Sequence, residues 1–307
     1  MMNALLLLFV QQPLQINLTE LGLYNPTGVP IIKIQDDFVI ESGGKILVAF
    51  DEKGSKIGSY DKTGQAPDEL ESATILGTHK DTVIVQKNRK SLQVFDRHCQ
   101  LKKSEYAPLP AEFQTVYTYG RALPDSRFLL AMRLNPGQRF GLRELRYDSK
   151  KGWQEVGTYL RKTHPMEHCT FSDDATFLYK PFLEPHEEEY SVKVFLSVPR
   201  VENWEDSVNL VLQREFSGDF EIIRQRYRAF LEVVAKTPSG YIVQLSAKQA
   251  QASKADSDIR FWDHFDAKGS FVKREKATGK YLTPVINSSE VFVITTEGDD
   301  DMLTKIF

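Results

Sequence analysis

Residues 42–54 read Ser-Gly-Gly-Lys-Ile-Leu-Val-Ala-Phe-Asp-Glu-Lys-Gly, which is a polar turn, an apolar strand and a second turn. Both turns of this stretch recur along the chain, and a repeat of this kind is the first feature to consider when a fold is predicted. The first pattern, a short polar turn before a strongly apolar strand, occurs six times. The equivalent apolar positions of the six copies are Leu47, Ile84, Leu129, Leu178, Ile242 and Phe292.

The second pattern joins an aromatic residue to an aspartate. The sequence from Phe50 to Gly54 returns from Phe265 to Gly269, with looser copies that begin at Phe95 and Tyr147. Aspartate bonds its own backbone in a turn and glycine accepts positive φ, so an aromatic strand can reverse there. Each unit therefore predicts a strand, an apolar strand, an aromatic strand and an outer strand. Four strands in roughly 40–50 residues are typical of one propeller blade.

We therefore predict an all-β protein, a six-bladed β-propeller of four-stranded blades that forms one domain over residues 13–307. The last unit stops at Phe307, about where its third strand should end. The segment from Leu14 to Leu18 alternates apolar and polar residues, and we expect it to pair with the last blade. Such a strand would close the ring and remove the exposed sheet edges that invite aggregation.

The stretch from Lys56 to Leu70 resembles the NHL-like bacterial 6-bladed beta-propeller family. That family carries a Gly-x-Gly-Pro-Gly-Glu-Phe-like loop between an outer strand and the next inner strand, and in this chain two of its glycines are replaced by Ala66 and Asp68. The matching positions are Gly64, Pro67, Glu69 and Leu70. The resemblance implies the propeller fold. It implies no single function, because such propellers include scaffolds, peptide binders, RNA binders and enzymes.

The composition and the net charge restrict the classes of partner and the cellular location that the sequence predicts. The net charge of −3 gives no basis for a nucleic-acid partner, since phosphate binding usually needs a basic excess. Cys99 and Cys169 are too few for a disulfide framework, and we interpret them as inert thiols. The apolar segment 1–12 is either an export-signal remnant or a plain apolar terminus, so a periplasmic or secreted location and a cytoplasmic one both remain open. We expect no membrane-spanning segment and a monomer.

Two clusters contain residues that bind metals in other proteins. The run from His164 to Cys169 lacks a partner pair at zinc-site spacing, so we interpret it as a turn. The acidic cluster of Glu184 and 187–189, with His186, lacks the alternating aspartates of a calcium loop, so we interpret it as solvated. We therefore expect no cofactor, with calcium only under the enzymatic alternative described below.

The most suggestive binding residues are arginines. If the chain around Arg224 to Arg228 is a strand, three arginines project from one face at a period of two. Guanidinium groups that converge on a propeller mouth could hold a carboxylate, phosphate or sulfate by paired hydrogen bonds. The candidate ligand-binding residues are Arg224, Arg226, Arg228, Tyr227, Arg133 and Arg143.

No catalytic constellation accompanies the repeats, and this favours a binding or scaffold propeller. We expect loops around a central mouth to present a site to a protein, peptide or glycan. The alternative is a metal-dependent lactonase-like hydrolase or lyase with a divalent metal at the axis, for which Asp36 and Asp37 are candidate acids. Tightly bound calcium would favour this enzyme, whereas retention of RNA at low salt would indicate a third class.

Overall fold

The computed structural model describes residues 14–23, 30–102, 106–111, 119–123, 125–134, 139–160, 168–171, 177–180, 188–196, 208–216, 218, 228–248, 259–286 and 288–307. All the regular elements in these ranges are β-strands, so the all-β prediction is confirmed. No helix within them could cross a membrane. The apolar segment 1–12 lies outside the described residues.

The strands form six antiparallel units that follow one another along the chain, and we number them units 1 to 6. Unit 1 contains β2 (Ile31–Ile34), β3 (Asp37–Ser42), β4 (Ile46–Phe50) and β5 (Lys56–Tyr60). Unit 2 has three strands, β6 (Thr74–His79), β7 (Thr82–Lys87) and β8 (Ser91–Asp96). Unit 3 contains β9 (Tyr119–Leu123), β10 (Arg127–Leu134), β11 (Arg139–Asp148) and β12 (Gly152–Leu160).

The second half of the chain repeats this arrangement. Unit 4 contains β13 (His168–Phe171), β14 (Phe177–Lys180), β15 (Glu189–Phe195) and β16 (Leu210–Glu215). Unit 5 contains β17 (Arg228–Thr237), β18 (Gly240–Lys248), β19 (Ile259–Asp266) and β20 (Phe271–Lys276). Unit 6 contains β21 (Lys280–Ile286), β22 (Val291–Glu297), β23 (Asp300–Lys305) and, from the other end of the chain, β1 (Gln15–Asn17).

The two ends of the chain meet in unit 6. Ile16 of β1 lies opposite Leu303 of β23 in an antiparallel pair. A backbone hydrogen bond of 2.8 Å from Leu18 to Asp301 extends this pairing beyond the strand. The prediction that the segment near Ile16 pairs with the last unit is therefore confirmed.

The first strands of successive units lie beside one another. β2 pairs in parallel with β21 and joins units 6 and 1 into one eight-stranded sheet. β2 also lies next to β6, β6 next to β9, β9 next to β13, and β17 next to β21. In these five pairs of neighbouring units, the first strand of one unit is therefore close to the first strand of the next.

Five of the interfaces between neighbouring units have described side chains on both sides, and each of these five buries apolar side chains from both units. Between units 1 and 2, Val39 packs in the same cluster as Val83 and Val85. Corresponding clusters join unit 2 to 3, unit 4 to 5, unit 5 to 6 and unit 6 to 1. Because alternate residues of a strand point to opposite faces, both faces of a sheet are covered in this way. Most hydrophobic stabilisation therefore lies between units.

The first copy of the turn-and-strand repeat was assigned one strand too late. Ile84, Leu129, Leu178, Ile242 and Phe292 all lie on the second strand of their units, whereas Leu47 lies on the third strand of unit 1. The structural counterpart in unit 1 is β3, which follows the turn at Gln35 and Asp36. The turn from Ser42 to Lys45 resembles the turn at Gln35 and Asp36 in sequence, because it is also polar and also precedes an apolar strand.

The aromatic-aspartate pattern marks the turn between the third and fourth strands of units 1, 3 and 5, and the turn that follows the third strand of unit 2. In unit 5, the Oδ1 atom of Asp266 accepts hydrogen bonds from the backbone N–H groups of Lys268 at 2.8 Å and Ser270 at 2.9 Å. Asp51, Asp96 and Asp148 accept equivalent pairs of bonds. The sequence interpretation of this turn is confirmed.

Replacing Asp266 with alanine should weaken this turn. Asp266→Ala removes two backbone hydrogen bonds at a half-exposed site, so we expect a loss of roughly 1 kcal/mol in the free energy of unfolding. Denaturation with urea measures the difference. Asp61→Ala, which removes an exposed carboxylate outside these turns, is the matched control and should change little. An equal loss in both variants would contradict this role of the aspartate.

Candidate functional site

The connections between strands lie at two opposite edges of the sheets, because strand direction alternates in an antiparallel unit. We call one edge the aspartate edge, since it holds the turns at Asp51, Asp96, Asp148 and Asp266. The other edge, called the cleft edge, holds the turns between second and third strands and the connections between units. Backbone hydrogen bonds join these connections to each other, for example from Ala73 to Gly44 at 2.9 Å.

The loop between units 1 and 2 forms one wall of a cleft at this edge. Its two ends are joined by a backbone hydrogen bond of 3.0 Å from Gly64 to Leu70. The Oε2 atom of Glu69 accepts a bond of 2.8 Å from the N–H of Ala66, and the Leu70 side chain is fully buried. The positions that resemble the propeller family therefore shape this loop, and they leave Gln65 and Pro67 exposed on the cleft.

Unit 2 supplies the second wall from the end of β7 and the start of β8. Lys87 is only 5% exposed, and its ammonium group donates a hydrogen bond to the carbonyl oxygen of Ala66. Gln93 is 4% exposed and donates to the carbonyl oxygen of Pro67 at 2.8 Å. Asn88, in the turn between these strands, donates to Glu71 at 3.0 Å. The loop and unit 2 are thus fastened together by polar side chains.

The chain that follows β8 completes the cleft. Pro108 lies on the rim, and its carbonyl oxygen accepts a bond of 3.0 Å from the indole of Trp153 in unit 3. Tyr106 also lines the cleft, but its ring is almost fully buried and packs edge-on against Phe128 at 5.1 Å. The cleft has a volume of about 690 Å³, which is in the range of ligand sites.

A polar side chain is buried at the same position of three units, close to the cleft edge. Residues Phe38, Val83 and Tyr241 face the aromatic residue before the turn aspartate of their units. Three residues further along each strand stand Glu41, Gln86 and Gln244, all less than 10% exposed.

The three side chains have different partners. The Oε1 atom of Gln244 accepts bonds from the indole of Trp262 at 2.9 Å and from the N–H of Leu282 in unit 6 at 2.8 Å. Gln244 thereby fastens unit 5 to the next unit. Glu41 accepts a bond from the N–H of Gly44, while the Nε2 atom of Gln86 has no partner among the described residues.

Burial changes the acid–base behaviour of Glu41. The loss of solvent raises the pKa of its carboxyl from 4.5 to about 7, and the bond from Gly44 opposes this only in part. In the unfolded chain the carboxyl regains its ordinary pKa. Folding therefore favours the protonated form, and the free energy of unfolding contributed by Glu41 falls as the pH rises from about 4.5 to about 7.

Replacing Glu41 with glutamine should remove this pH dependence. Glutamine stands at the equivalent position of unit 2 and needs no proton to be neutral, so Glu41→Gln should be more stable than the wild type by about 2–3 kcal/mol at pH 8. At pH 4 the two proteins should be nearly equal. Urea denaturation of both proteins across this pH range measures the difference in their free energies of unfolding. Other titratable groups contribute equally to both proteins and do not affect this difference. A difference that does not change with pH would contradict the raised pKa.

The structure describes only some of the residues on which the arginine hypothesis depends. Arg224, Arg226 and Tyr227 lie outside the described residues. Arg228 begins β17 and Arg133 lies in β10, and the side chains of both lie outside the described part as well. The convergence of these groups on a mouth stays a prediction.

Arg143 is the one candidate with a described side chain. Its Nε atom donates to Thr158 at 2.9 Å, and its Nη2 atom lies 3.0 Å from the carboxylate of Glu155. Both partners lie on β12, the outermost strand of unit 3. The guanidinium group of Arg143 is therefore directed to the outer strand and away from the inner edge of the sheet.

The two candidate acids Asp36 and Asp37 lie apart from the cleft. Asp36 is exposed at the aspartate edge, and Asp37 lies 3.6 Å from the guanidinium group of Arg97. In the run of 164–169, residues 164–167 lie outside the described residues, as do 184–187 of the acidic cluster. Among the side chains that the structure describes, no three His, Cys, Asp or Glu residues are grouped as metal ligands.

Cys99 occupies a turn position that is glycine in units 1 and 5. Its φ of 59° lies in the left-handed region, where Gly54 and Gly269 have φ of 83°. Burial raises the pKa of the Cys99 thiol to about 12, so it remains protonated. The interpretation of this cysteine as an inert thiol agrees with these properties.

No protein-family model and no curated protein sequence matches this chain.

Sequence reasoning missed the two residues at the floor of the cleft. Lys87 ends the apolar run of β7, and Gln93 interrupts the apolar run of β8. A polar side chain inside an apolar strand is a signal of a buried hydrogen-bonding group. That signal was present in the sequence. The position of the cleft was not, because Lys87 and Gln93 of unit 2 bond to the loop that precedes unit 2, and no sequence pattern relates these residues.

Proposed function

We propose that this chain is a six-bladed propeller that acts as a non-catalytic binding module for a protein or peptide segment. Six antiparallel units that follow one another support the propeller, as do first strands that lie beside their neighbours and a first strand that completes the last unit. The closed ring is the arrangement that lets every unit bury both faces. The resemblance of the loop at Gly64 to Leu70 to bacterial six-bladed propellers points to the same fold.

The single observation that favours a binding role is the cleft between units 1 and 2. It combines hydrogen-bonding side chains with the exposed apolar surfaces of Pro67 and Pro108. Sites that hold extended peptides in other proteins also combine polar groups with apolar contacts. A glycan fits less well, because sugars stack on exposed aromatic faces and the ring of Tyr106 is buried among Phe128 and Trp153.

The closed ring can be tested in solution. A compact chain of 307 residues has a radius of gyration of roughly 19 Å. We expect small-angle X-ray scattering to give a value near this, with a distance distribution typical of a short, wide disc. A clearly larger radius with the tail of an open, curved array would contradict the propeller.

The binding role can be tested with a random peptide library. Peptides selected on the immobilised wild-type chain should lose binding to Gln65→Trp, because the indole would fill the cleft from an exposed position of its wall. Lys53→Trp places the same side chain on an exposed residue of the aspartate edge and should bind as the wild type does. A library without enriched peptides, or equal binding to all three proteins, would exclude the cleft as a peptide site.

The enzymatic alternative gives a different result. A lactonase-like hydrolase should turn over lactone or ester substrates after calcium is added, and the activity should disappear with a chelator. We expect no turnover above that of the buffer with calcium. Calcium-dependent turnover would overturn the non-catalytic role.

A further inference from the structure

Lys87, in the second wall of the cleft, forms no ion pair within the described part of the chain. Lys87 is 5% exposed, and its one described partner is the neutral carbonyl oxygen of Ala66. Lysines that are buried to this extent are usually paired with a carboxylate, because an isolated charge is costly to remove from water. The ammonium group of Lys87 has two further N–H donors.

The carboxylates of the neighbouring loop are bound to other groups, and Glu69 accepts the N–H of Ala66. The hydrogen bond from Lys62 is the main cause of the lowered pKa of Asp68, to which the charge of Lys87 also contributes. Asp68 forms an ion pair with Lys62 at 3.2 Å, and Glu71 accepts the hydrogen bond from Asn88. Neither forms an ion pair with Lys87 within the described part of the chain. A second cation, the exposed Lys90, lies on the rim of the cleft. Two lysines and one glutamate line the cleft, so its net charge is positive and favours an anionic group.

A second observation, independent of charge, concerns Gln93. Its Nε2 atom donates to the carbonyl oxygens of Pro67 at 2.8 Å and Glu69 at 3.4 Å. This fixes the orientation of the amide, since the opposite orientation would place three oxygens together. The Oε1 atom is buried and has no described donor. A ligand with an N–H group would supply one, and a peptide backbone has such a group at almost every residue.

We propose that the cleft holds a peptide by one of its carboxylate groups, which pairs with Lys87, while a peptide N–H donates to the Oε1 atom of Gln93. This proposal rests on the binding role proposed above and adds the chemistry of the ligand. A carboxylate fits better than a phosphate, because the described lining contains no arginine for two-point binding of phosphate. The carboxylate belongs either to an acidic side chain or to the C-terminus of the peptide.

The test uses two random peptide libraries, one with a free C-terminus and one with an amidated C-terminus. We expect the peptides that bind the wild-type chain to be enriched in Asp or Glu at one position in both libraries if the group is a side chain. If the group is the C-terminal carboxylate, binders should come from the free-terminus library alone. Either result supports the proposal.

Variants then assign the carboxylate to Lys87. Lys87→Met keeps the length of the side chain without its charge, and we expect it to bind a selected peptide roughly tenfold more weakly, the effect of one charge-assisted contact. Lys87→Arg should restore part of the binding. Lys53→Met removes a charge at the opposite edge and should bind normally. Equal binding to Lys87→Met and the wild type, with both folded, would overturn the proposal.

Even if Lys87→Met does not fold, the sequences of the peptides selected on the wild-type chain show whether the cleft recognises a carboxylate. Peptides that bind without acidic enrichment, and equally well when amidated, would exclude the carboxylate while leaving the peptide-binding role intact. The absence of any bound peptide would instead contradict the binding role itself. Retention of uronic-acid oligosaccharides with no retained peptide would show that the carboxylate belongs to a glycan and would overturn the peptide assignment.

Discussion

Burial of both faces of each sheet against its neighbours is the constraint on which the rest of the structure depends. An isolated sheet with two apolar faces, such as unit 1, would expose both of them to water. Here the face of unit 1 that carries Val39 is covered by unit 2, and the face that carries Phe38 is covered by unit 6. The position of every loop at either edge is therefore set by how neighbouring sheets pack.

Polar groups within these interfaces add directionality to the apolar packing. Asp263 of unit 5 is fully buried and accepts two hydrogen bonds of 2.6 Å from the guanidinium group of Arg274. Tyr190 of unit 4 donates to the same carboxylate at 2.6 Å, and burial raises the pKa of its phenol so that it remains a donor. A buried charge that is fully bonded contributes little net stability but opposes other arrangements of the two sheets.

The sequence predicted the local elements well because their causes are local. The aspartate turns depend on a side chain that bonds the backbone two to four residues away, and the pattern at Asp51 and Asp266 is visible without a structure. The pairing of Ile16 with the last unit followed from the missing outer strand at Phe307. The misplaced copy at Leu47 shows the limit of this reasoning, because two successive turns of one unit have similar composition.

The site was harder to predict because its residues come from separate connections. The hydrogen bonds from Lys87 to Ala66 and from Gln93 to Pro67 span more than twenty residues, and no spacing rule relates them. The hypothesis that Arg224, Arg226 and Arg228 bind a ligand rests only on the ability of guanidinium groups to bind anions. Arg143 illustrates the difficulty, since the partners on the outer strand that determine its direction depend on a register shift between β11 and β12.

The unequal construction of the two edges has a consequence for how such a chain can diversify. At the aspartate edge, the turns at Asp51 and Asp266 are short and bonded to themselves. Their glycines, Gly54 and Gly269, lie against strands of the preceding unit at Ile16 and Leu210. Insertions there would separate sheets. The opposite edge joins units through segments that differ in length from one another, so new recognition surfaces can be introduced there by exchanging loops while the frame of strands is inherited unchanged.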